Sequence, residues 1–368
     1  MKVTCFTIGV SLSLAANTAI AGNLDRTKTP IDIVFEEGNY AELSFGYIDP
    51  SVTGQDAAGN ATGDVGNGFW LTSAAVKLQF RKNFSVSAIY DQPYGVDNVY
   101  GGDPSTTLIG GTVAQAETDA LTLLLAYRPT DAITLFGGPR IVGAQGRVTL
   151  SGLAYGPLNG YNVRFSNDKG AGYVVGAAYE IPEIAFRSVL TYHSAVDVDM
   201  RATETFPGAA PVVTGSTRST LPQSLKLQIQ SGIAANTLAF GSIRWAEWSA
   251  FSLDPPSPAP ELAVMDDAWT YELGVGYQFT DKFAASLTYS YEHEEGDDLV
   301  SPLGPTRGYQ SVSIGGKYQI SDAVNVSSGI QYLWIGDALL ETSPANILRG
   351  TFRDNDALAF GLKVGVSF

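Results

Sequence analysis

The chain ends on Asp356-Ala-Leu-Ala-Phe-Gly-Leu-Lys-Val-Gly-Val-Ser-Phe368, a stretch that alternates between apolar and small or polar residues. Successive side chains of a β-strand point to opposite faces, so this period of two predicts an amphipathic strand. Two settings fit it: the lipid-facing wall of a membrane β-barrel, or the edge of a soluble β-sandwich. The apolar face of the predicted strand consists of alternate residues: Phe360, Leu362, Val364, Val366 and Phe368.

A terminal phenylalanine that follows alternate apolar residues resembles the last strand of bacterial outer-membrane barrels. The barrel-assembly machinery recognises such strands. We therefore interpret Phe360, Leu362, Val364, Val366 and Phe368 as an assembly signal. The interpretation implies two partners, the assembly machinery and outer-membrane lipid.

The composition favours the membrane setting. Of 368 residues only 16% are charged, while 40 are Gly, 18 Tyr, 17 Phe and 5 Trp, as in a barrel with a lipid face and aromatic girdles. No apolar run of about 18 residues follows the N-terminus, which excludes a helical membrane protein. The net charge of -15 argues against a nucleic-acid partner, because nucleic acid requires a basic surface.

The N-terminus has the features of a secretory signal peptide at residues 1–21. Lys2 supplies the positive charge, an apolar core follows, and Ala19-Ile20-Ala21 forms a cleavage pattern before Gly22. The only cysteine, Cys5, lies within this predicted signal. The mature chain therefore has no disulfide or cysteine-bound metal. We expect no metal and no cofactor.

Strand-like segments begin at Tyr40 and continue to the end of the chain. Many alternate clearly, as where Trp269, Tyr271 and Leu273 share one face. We predict fourteen strands: 40–48, 69–81, 84–91, 117–128, 133–149, 169–179, 185–201, 223–234, 237–250, 268–279, 283–293, 308–320, 324–336 and 356–368.

The connections between these strands alternate strictly between long and short. Outer-membrane barrels have short periplasmic turns and long extracellular loops, whereas a soluble sandwich has no reason for such a pattern. Because a bilayer tolerates no unpaired sheet edge, the first strand must pair with the last. We predict a 14-stranded antiparallel transmembrane β-barrel over residues 40–368, in the outer membrane of a Gram-negative bacterium. Residues 22–39 form a short segment in the periplasm or the lumen.

Several stretches resemble the FadL/TodX family of outer-membrane transporters for hydrophobic compounds. The similarity extends from about Tyr40 to Phe368, and the order and spacing of the stretches carry it. They are Gln92-Pro93-Tyr94-Gly95, Gly172-Tyr173, Ala178-Tyr179-Glu180-Ile181-Pro182, Leu190-Thr191-Tyr192-His193-Ser194, Leu221-Pro222, and Ser242-Ile243-Arg244-Trp245-Ala246-Glu247-Trp248-Ser249-Ala250-Phe251.

The resemblance implies uptake of hydrophobic small molecules, such as long-chain fatty acids, by passive diffusion through the barrel. A general diffusion porin for small polar solutes is the alternative. Members of the family begin with a longer N-terminal hatch that carries an Asn-Pro-Ala motif, which this chain lacks. Residues 22–39 are therefore expected to form a reduced hatch.

A fatty acid needs an apolar groove for its tail and a cation for its carboxylate. Among the residues that alternation places inward, Arg140, Arg187 and Lys317 are our candidates for the cation. The alternative is that these charges pair with lumenal carboxylates such as Glu42 and Glu272.

The third and fourth long loops are unusually apolar for outer loops. Tyr155, Tyr161 and Phe165 lie in one of them, and Phe206 lies in the other. The family resemblance implies that these loops capture the hydrophobic ligand first. The alternative is that the loops pack against each other as a lid.

A break in the wall is expected where the third predicted strand ends, at residues 87–95. Pro93 cannot donate to the strand ladder, and Gly95 loosens it. The resemblance implies that Gln92, Pro93, Tyr94 and Gly95 border a lateral gap through which apolar cargo leaves. The alternative is that Pro93 merely begins a loop.

An enzymatic function is not expected. The chain has two histidines, His193 and His293, and His193 is followed directly by Ser194. Adjacent strand residues point to opposite faces, so this pair cannot act as base and nucleophile. We expect a monomeric transport protein.

Overall fold

The computed structural model describes residues 24–27, 29–257, 262–263, 265–294, 299–342 and 347–368. These residues form an antiparallel sheet that closes into a barrel of fourteen strands, as predicted. Three of the strands consist of two segments each. The predicted signal peptide, residues 1–21, and Gly22 lie outside the described residues. The strands are β1 (Tyr40–Ser51), β2 (Phe69–Arg81), β3 (Phe84–Asp91 and Gly95–Val99), β4 (Val113–Thr130), β5 (Ile133–Leu150), β6 (Tyr161–Ile181), β7 (Phe186–His193 and Val196–Thr205), β8 (Val212–Leu221 and Ser224–Ala234), β9 (Thr237–Ala246), β10 (Ala268–Thr280), β11 (Phe283–Glu294), β12 (Tyr309–Gln319), β13 (Val324–Ile335) and β14 (Asn355–Ser367).

The first and last strands close the wall. Their register extends from Tyr40 opposite Ser367 to Ser51 opposite Asp356. The backbone N–H of Phe368 also donates a hydrogen bond to the carbonyl of Asn39, 3.1 Å away. The sheet therefore has no lipid-exposed edge, which a bilayer would not tolerate.

The short turns lie at one end of the barrel and the long loops at the other, as predicted. Several boundaries differ from the sequence prediction. Strand β8 begins at Val212 instead of 223, and β6 begins at Tyr161 instead of 169. Strand β3 resumes at Gly95 after a three-residue interruption, and β9 ends at Ala246. Periodicity is a weak guide there, because outward side chains above the membrane meet water instead of lipid.

The outer surface of the barrel is apolar. On β10 the face predicted from alternation points outward, with Leu273 70% and Phe279 59% exposed. Aromatic rings pair near both ends of the strands. Phe84 lies 4.6 Å from Tyr127 near the short turns, and Tyr332 lies 4.9 Å from Trp334 near the long loops. These rings form the two interfacial girdles of a membrane barrel.

The long loops fold over the extracellular end of the barrel. A second, five-stranded sheet joins parts of three loops: Thr53–Asp56, Ala61–Asp64, Leu299–Val300, Ala338–Glu341 and Leu348–Phe352. Beneath it, Val52, Tyr100 and Phe352 belong to one buried cluster. In the described part of the chain, the helical segments are all too short to cross a membrane.

The N-terminal segment, residues 24–27 and 29–39, lies inside the barrel. A short 3-10 helix, Asp32–Phe35, packs its apolar side chains against inward-facing residues of several strands. The apolar patch of this segment therefore meets a matching patch of the lumen, which fixes its position. The wall residues in this cluster include Ile89, Leu124, Phe136, Val174 and Val189.

Candidate transport site

The upper end of the N-terminal segment is held at two opposite walls. Asp25 forms an isolated antiparallel bridge with Tyr94 of the β3 interruption. Its carboxylate accepts hydrogen bonds from Arg244 on β9, at 2.7 and 3.1 Å, and from the indole of Trp248 at 3.4 Å. The Trp248 ring packs edge-on against Tyr94, with centroids 5.2 Å apart. The segment thus spans the lumen from β3 to β9.

The lower end of the segment is fixed by Lys77 and Phe35. The ammonium of Lys77 donates hydrogen bonds to the carbonyls of Val34, at 3.0 Å, and Glu36. A cation at the end of a short helix satisfies carbonyls that have no partner within the helix. Phe35 lies between Phe136, 6.1 Å away, and the guanidinium of Arg187, 4.5 Å away. We call residues 24–27 and 29–39 the plug.

An apolar cavity, the upper chamber, lies on the extracellular side of the plug. It encloses about 660 Å³, part of it open to solvent. The chamber is bordered by the plug, by inward-facing strand residues and by the loops above. Its lining includes Leu24, Tyr94, Ala114, Phe165, Met200, Phe251 and Met265.

A second cavity, the lower chamber, lies on the other side of the plug and has a mixed lining of apolar, polar and charged residues. It encloses about 1120 Å³, part of it open to solvent. Lys363 pairs there with Glu42 at 3.4 Å, and Lys226 pairs with Glu272 at 3.5 Å. The plug therefore separates an apolar space from one that contains ion pairs. The lower chamber is lined among others by Thr27, Glu42, His193, Lys226, Arg244 and Lys363.

The wall has a break between β2 and β3. Their ladder extends from Arg81 opposite Phe84 to Ala74 opposite Tyr90. Pairing resumes only above, where Gly66 bridges Asn98. Between these points, residues 69–73 of β2 pair with β1 on their other side. A cavity of about 510 Å³ with a mixed polar and apolar lining, part of it open to solvent, occupies the upper part of the break and adjoins the upper chamber at Leu24, Gly95 and Val96.

The four residues singled out by the sequence lie at this break. The side chain of Gln92 accepts a hydrogen bond from the N–H of Thr72, at 2.9 Å. The carbonyl of Pro93 accepts the N–H of Arg26, and Tyr94 and Gly95 line the upper chamber. Pairing with β2 continues through Tyr90, so the break starts four residues above Ser87. Because β3 resumes at Gly95, Pro93 interrupts a strand and does not begin a loop.

The three predicted lumenal cations do not converge. Arg140 donates a hydrogen bond to Thr29 of the plug at 3.0 Å. Arg187 lies 3.8 Å from Glu180 and donates to Gln230 at 3.1 Å. Lys317 is half-buried on β12, and the carboxylates of Glu36 and Glu42 attract its ammonium group electrostatically. None of the three borders the upper chamber, so carboxylate recognition by these residues stays a prediction.

The predicted loop aromatics are packed together above the upper chamber. Phe165 is buried and lines the chamber directly. Tyr161 is buried, donates a hydrogen bond to Glu204 and packs 5.2 Å from the ring of Phe206. Tyr155 packs between the clusters beneath the loops. Three of these four residues therefore form a covering layer, and their role in capture stays a prediction.

Sequence reasoning missed the residues that hold the plug. Asp25, Arg26 and Arg244 were not among the candidates, although Arg244 and Trp248 lie in a stretch used for the family resemblance. Alternation along β9 would have placed Arg244 inward. Trp248 could not be placed in this way, because the chain leaves the strand after Ala246 and turns through Trp248–Ala250.

Comparison with known proteins agrees with this architecture. The family model for outer membrane protein transport proteins (OMPP1/FadL/TodX) matches residues 7–368. The chain belongs to this family. FadL/TodX members are transport channels of the outer membrane, so the protein is an outer-membrane transport protein and not an enzyme. A comparison with curated proteins gives no match.

Solved structures of the FadL/TodX type share the fold. A Pseudomonas aeruginosa FadL homologue superposes with a TM-score of 0.73 at 17% identity, over 92% of this chain and 93% of that one. The P. putida toluene transporter TodX superposes with a TM-score of 0.65 at 13% identity, over 92% of both chains. The Ralstonia pickettii toluene transporter TbuX superposes with a TM-score of 0.64 at 16% identity, over 93% of this chain and 92% of that one.

Proposed function

We propose that the protein takes up hydrophobic small molecules, such as long-chain fatty acids, across the outer membrane by passive diffusion. In this proposal the ligand passes the apolar loop layer, occupies the upper chamber and leaves through the break between β2 and β3. The lateral route is part of the proposal because the plug lies between the upper chamber and the periplasmic end of the barrel.

The observation that carries this proposal is the apolar chamber between the plug and the loops. Its lining includes Phe165, Met200, Phe251 and Met265, whose side chains offer hydrocarbon surface to a ligand. Concave sites lined mainly by hydrocarbon and aromatic side chains are typical of sites for hydrophobic small molecules. The wall break lies directly beside the chamber, so an apolar molecule has a short route to lipid.

The substrate class extends beyond fatty acids. TodX and TbuX are toluene transporters, and a hydrocarbon needs no cation for its recognition. The cations predicted for a carboxylate, Arg140 and Arg187, contact the plug and neighbouring polar groups instead of the upper chamber. Arg147 does border the upper chamber, so a comparison of charged and uncharged ligands decides how much a carboxylate contributes to selection.

The test reconstitutes the full-length mature protein in vesicles and measures transfer of radiolabelled oleate and of oleyl alcohol. The two compounds share a chain and differ in charge. The proposal predicts transfer of both, together with a low steady ion conductance. A high conductance without transfer of either compound would contradict it and favour a general diffusion porin.

A substitution that fills the chamber tests the route itself. Ala114→Trp places an indole at a buried position of the chamber wall, and we expect it to slow transfer several-fold. Ala285→Trp is the matched control, since it adds the same bulk on the lipid-facing side of β11 beside Leu287. Equal transfer by the two variants would exclude the chamber as the route.

A further inference from the structure

The side chain of Arg26 lies in the wall break. Its guanidinium carbon is 4.0 Å from the ring centroid of Phe69, the first residue of β2. On the other side of the break, its backbone N–H donates to the carbonyl of Pro93, at 2.8 Å. The residue is 6% exposed, although it carries a charge. Arg26 therefore bridges the two strands where their own ladder is interrupted.

Gly95 provides the space for this guanidinium. A Cβ atom at position 95 would come within 2.5 Å of the Arg26 guanidinium carbon, far inside van der Waals contact. The N–H of Gly95 also donates to the carbonyl of Leu24 at 2.8 Å, so the plug backbone and β3 are in register here. The absence of a side chain at Gly95 is thus what lets Arg26 fill the break.

The charge of Arg26 is held in place electrostatically. The carboxylates of Asp97 and Glu117, on β3 and β4, attract the guanidinium. Its Nε atom is buried without a hydrogen-bond partner among the described residues. Burial of a guanidinium that is only partly satisfied costs free energy, which offsets part of the attraction that holds the side chain in the break.

We propose that Arg26 is the residue that closes the lateral break and controls passage between the upper chamber and the surrounding lipid. The inference rests on the proposed function, since the break serves as an exit only if apolar molecules occupy the chamber. Closure requires the stacking of Arg26 on Phe69 and its contact with Gly95. Withdrawal of this one side chain opens the break, while the ion pair between Asp25 and Arg244 still holds the plug.

The test measures access to the chamber and not transport. Ala114→Cys introduces a single thiol into residues 22–368, which contain no native cysteine, and this thiol lies in the chamber wall. The protein is placed in vesicles whose lipid contains pyrene maleimide. We expect Arg26→Ala to increase the labelling rate of this thiol several-fold. Leu273→Cys on the lipid face is the control and is expected to react equally with and without the Arg26 change.

A second variant keeps the arginine. Gly95→Ala pushes the guanidinium out of the break through the Cβ contact, and we expect it to increase labelling as Arg26→Ala does. Unchanged labelling in both variants would overturn the proposal. So would a rise in ion conductance that accompanies the faster labelling, because that result would mean that the whole plug has left the lumen.

The outcome is independent of the transport assay. Faster labelling with unchanged conductance supports Arg26 as the closing residue even if oleate and oleyl alcohol are not transferred. In that case the proposed function is refuted, whereas the closing role of Arg26 is supported. If both compounds are transferred at the same rate with and without Arg26, and labelling is also unchanged, the function stands and the closing role of Arg26 is refuted.

Discussion

Asp25 and Arg244 form an ion pair across the lumen, with two hydrogen bonds of 2.7 and 3.1 Å between carboxylate and guanidinium. Both side chains are nearly inaccessible, at 1% and 5% exposure. The pair joins the N-terminal plug to β9, whereas the backbone of Asp25 pairs with Tyr94 at the opposite wall. It therefore holds the element that separates the apolar upper chamber from the lower chamber.

Loss of Arg244 should release the upper end of the plug. Arg244→Ala leaves the Asp25 carboxylate buried without its partner, a change that costs about 3–5 kcal/mol in comparable sites. We expect the plug to leave its place and the ion conductance in planar bilayers to increase several-fold.

The control for this variant is the ion pair between Arg218 and Asp199, whose side chains are 65% and 56% exposed. Exposed pairs contribute little, so Arg218→Ala should leave the conductance at the level of the unmodified protein. An equal increase in both variants would show that loss of positive charge, and not release of the plug, is responsible.

The lower end of the plug depends on Lys77. Lys77→Met keeps the length of the side chain and removes the ammonium that serves the carbonyls of Val34 and Glu36. We expect faster hydrogen exchange at residues 31–37, measured by mass spectrometry, with no change at Asp25. Lys82→Met, in an exposed turn, is the control. Unaltered exchange in the Lys77 variant would contradict this anchoring role.

Asp56 links the first two extracellular loops. Its carboxylate accepts the N–H groups of Ala58, Asn60 and Leu108, at 2.9, 2.9 and 2.8 Å. Burial alone would raise its pKa, but hydrogen bonds from Leu108, Asn60 and Ala58 outweigh it and lower the pKa below 3.8. Because the pKa is lower in the folded state, the ionised carboxylate stabilises the loops at pH values above its ordinary pKa. This stabilisation is lost as the pH falls through the folded-state pKa.

Asp56→Ala should therefore free the second loop, because it leaves the Leu108 N–H without an acceptor at a cost of about 1–3 kcal/mol. We expect faster hydrogen exchange at Leu108 and Ala58 at about pH 6, and the difference from the unmodified protein should shrink as the pH falls below 3.8 and through the lowered pKa. Asp103→Asn, which removes an exposed charge bonded to Ser105, is the control. A difference that stays constant until the whole barrel unfolds in acid would refute the ionic link.

Phe368 is expected to act in assembly. Phe368→Ala removes a ring that is 65% exposed on the outer surface and leaves the β1–β14 ladder intact. We expect a lower yield of folded barrel in the outer membrane, measured by heat-dependent mobility in gels, while refolding in detergent is unchanged. Ser367→Ala is the control. A normal yield from the Phe368 variant would remove the assembly role.

The wall of the barrel could be predicted because its signals are local. Strand alternation such as Trp269, Tyr271 and Leu273 follows directly from one side meeting lipid and the other the lumen. The sequence of Gln92, Pro93 and Gly95 pointed to the break for a similarly local reason, since proline lacks the N–H that a ladder requires.

The predictions became less accurate in the lumen and the loops. Arg140 and Arg187 do face inward, yet their partners, Thr29 and Phe35, belong to the plug and not to a ligand groove. Tyr161 was placed in a loop but lies in β6, where pairing continues above the membrane. A side chain's direction follows from periodicity, whereas its partner depends on the register of distant strands.

The sequence by itself determined a closed wall of fourteen strands with its first and last strands paired, because alternation and loop length are properties of neighbouring residues. Only the tertiary structure decided what fills the lumen inside that wall. The contacts of Asp25 with Arg244 and of Arg26 with Phe69 join residues far apart in the chain, and they depend on barrel closure, strand register and the space left by Gly95. No local pattern encodes such contacts.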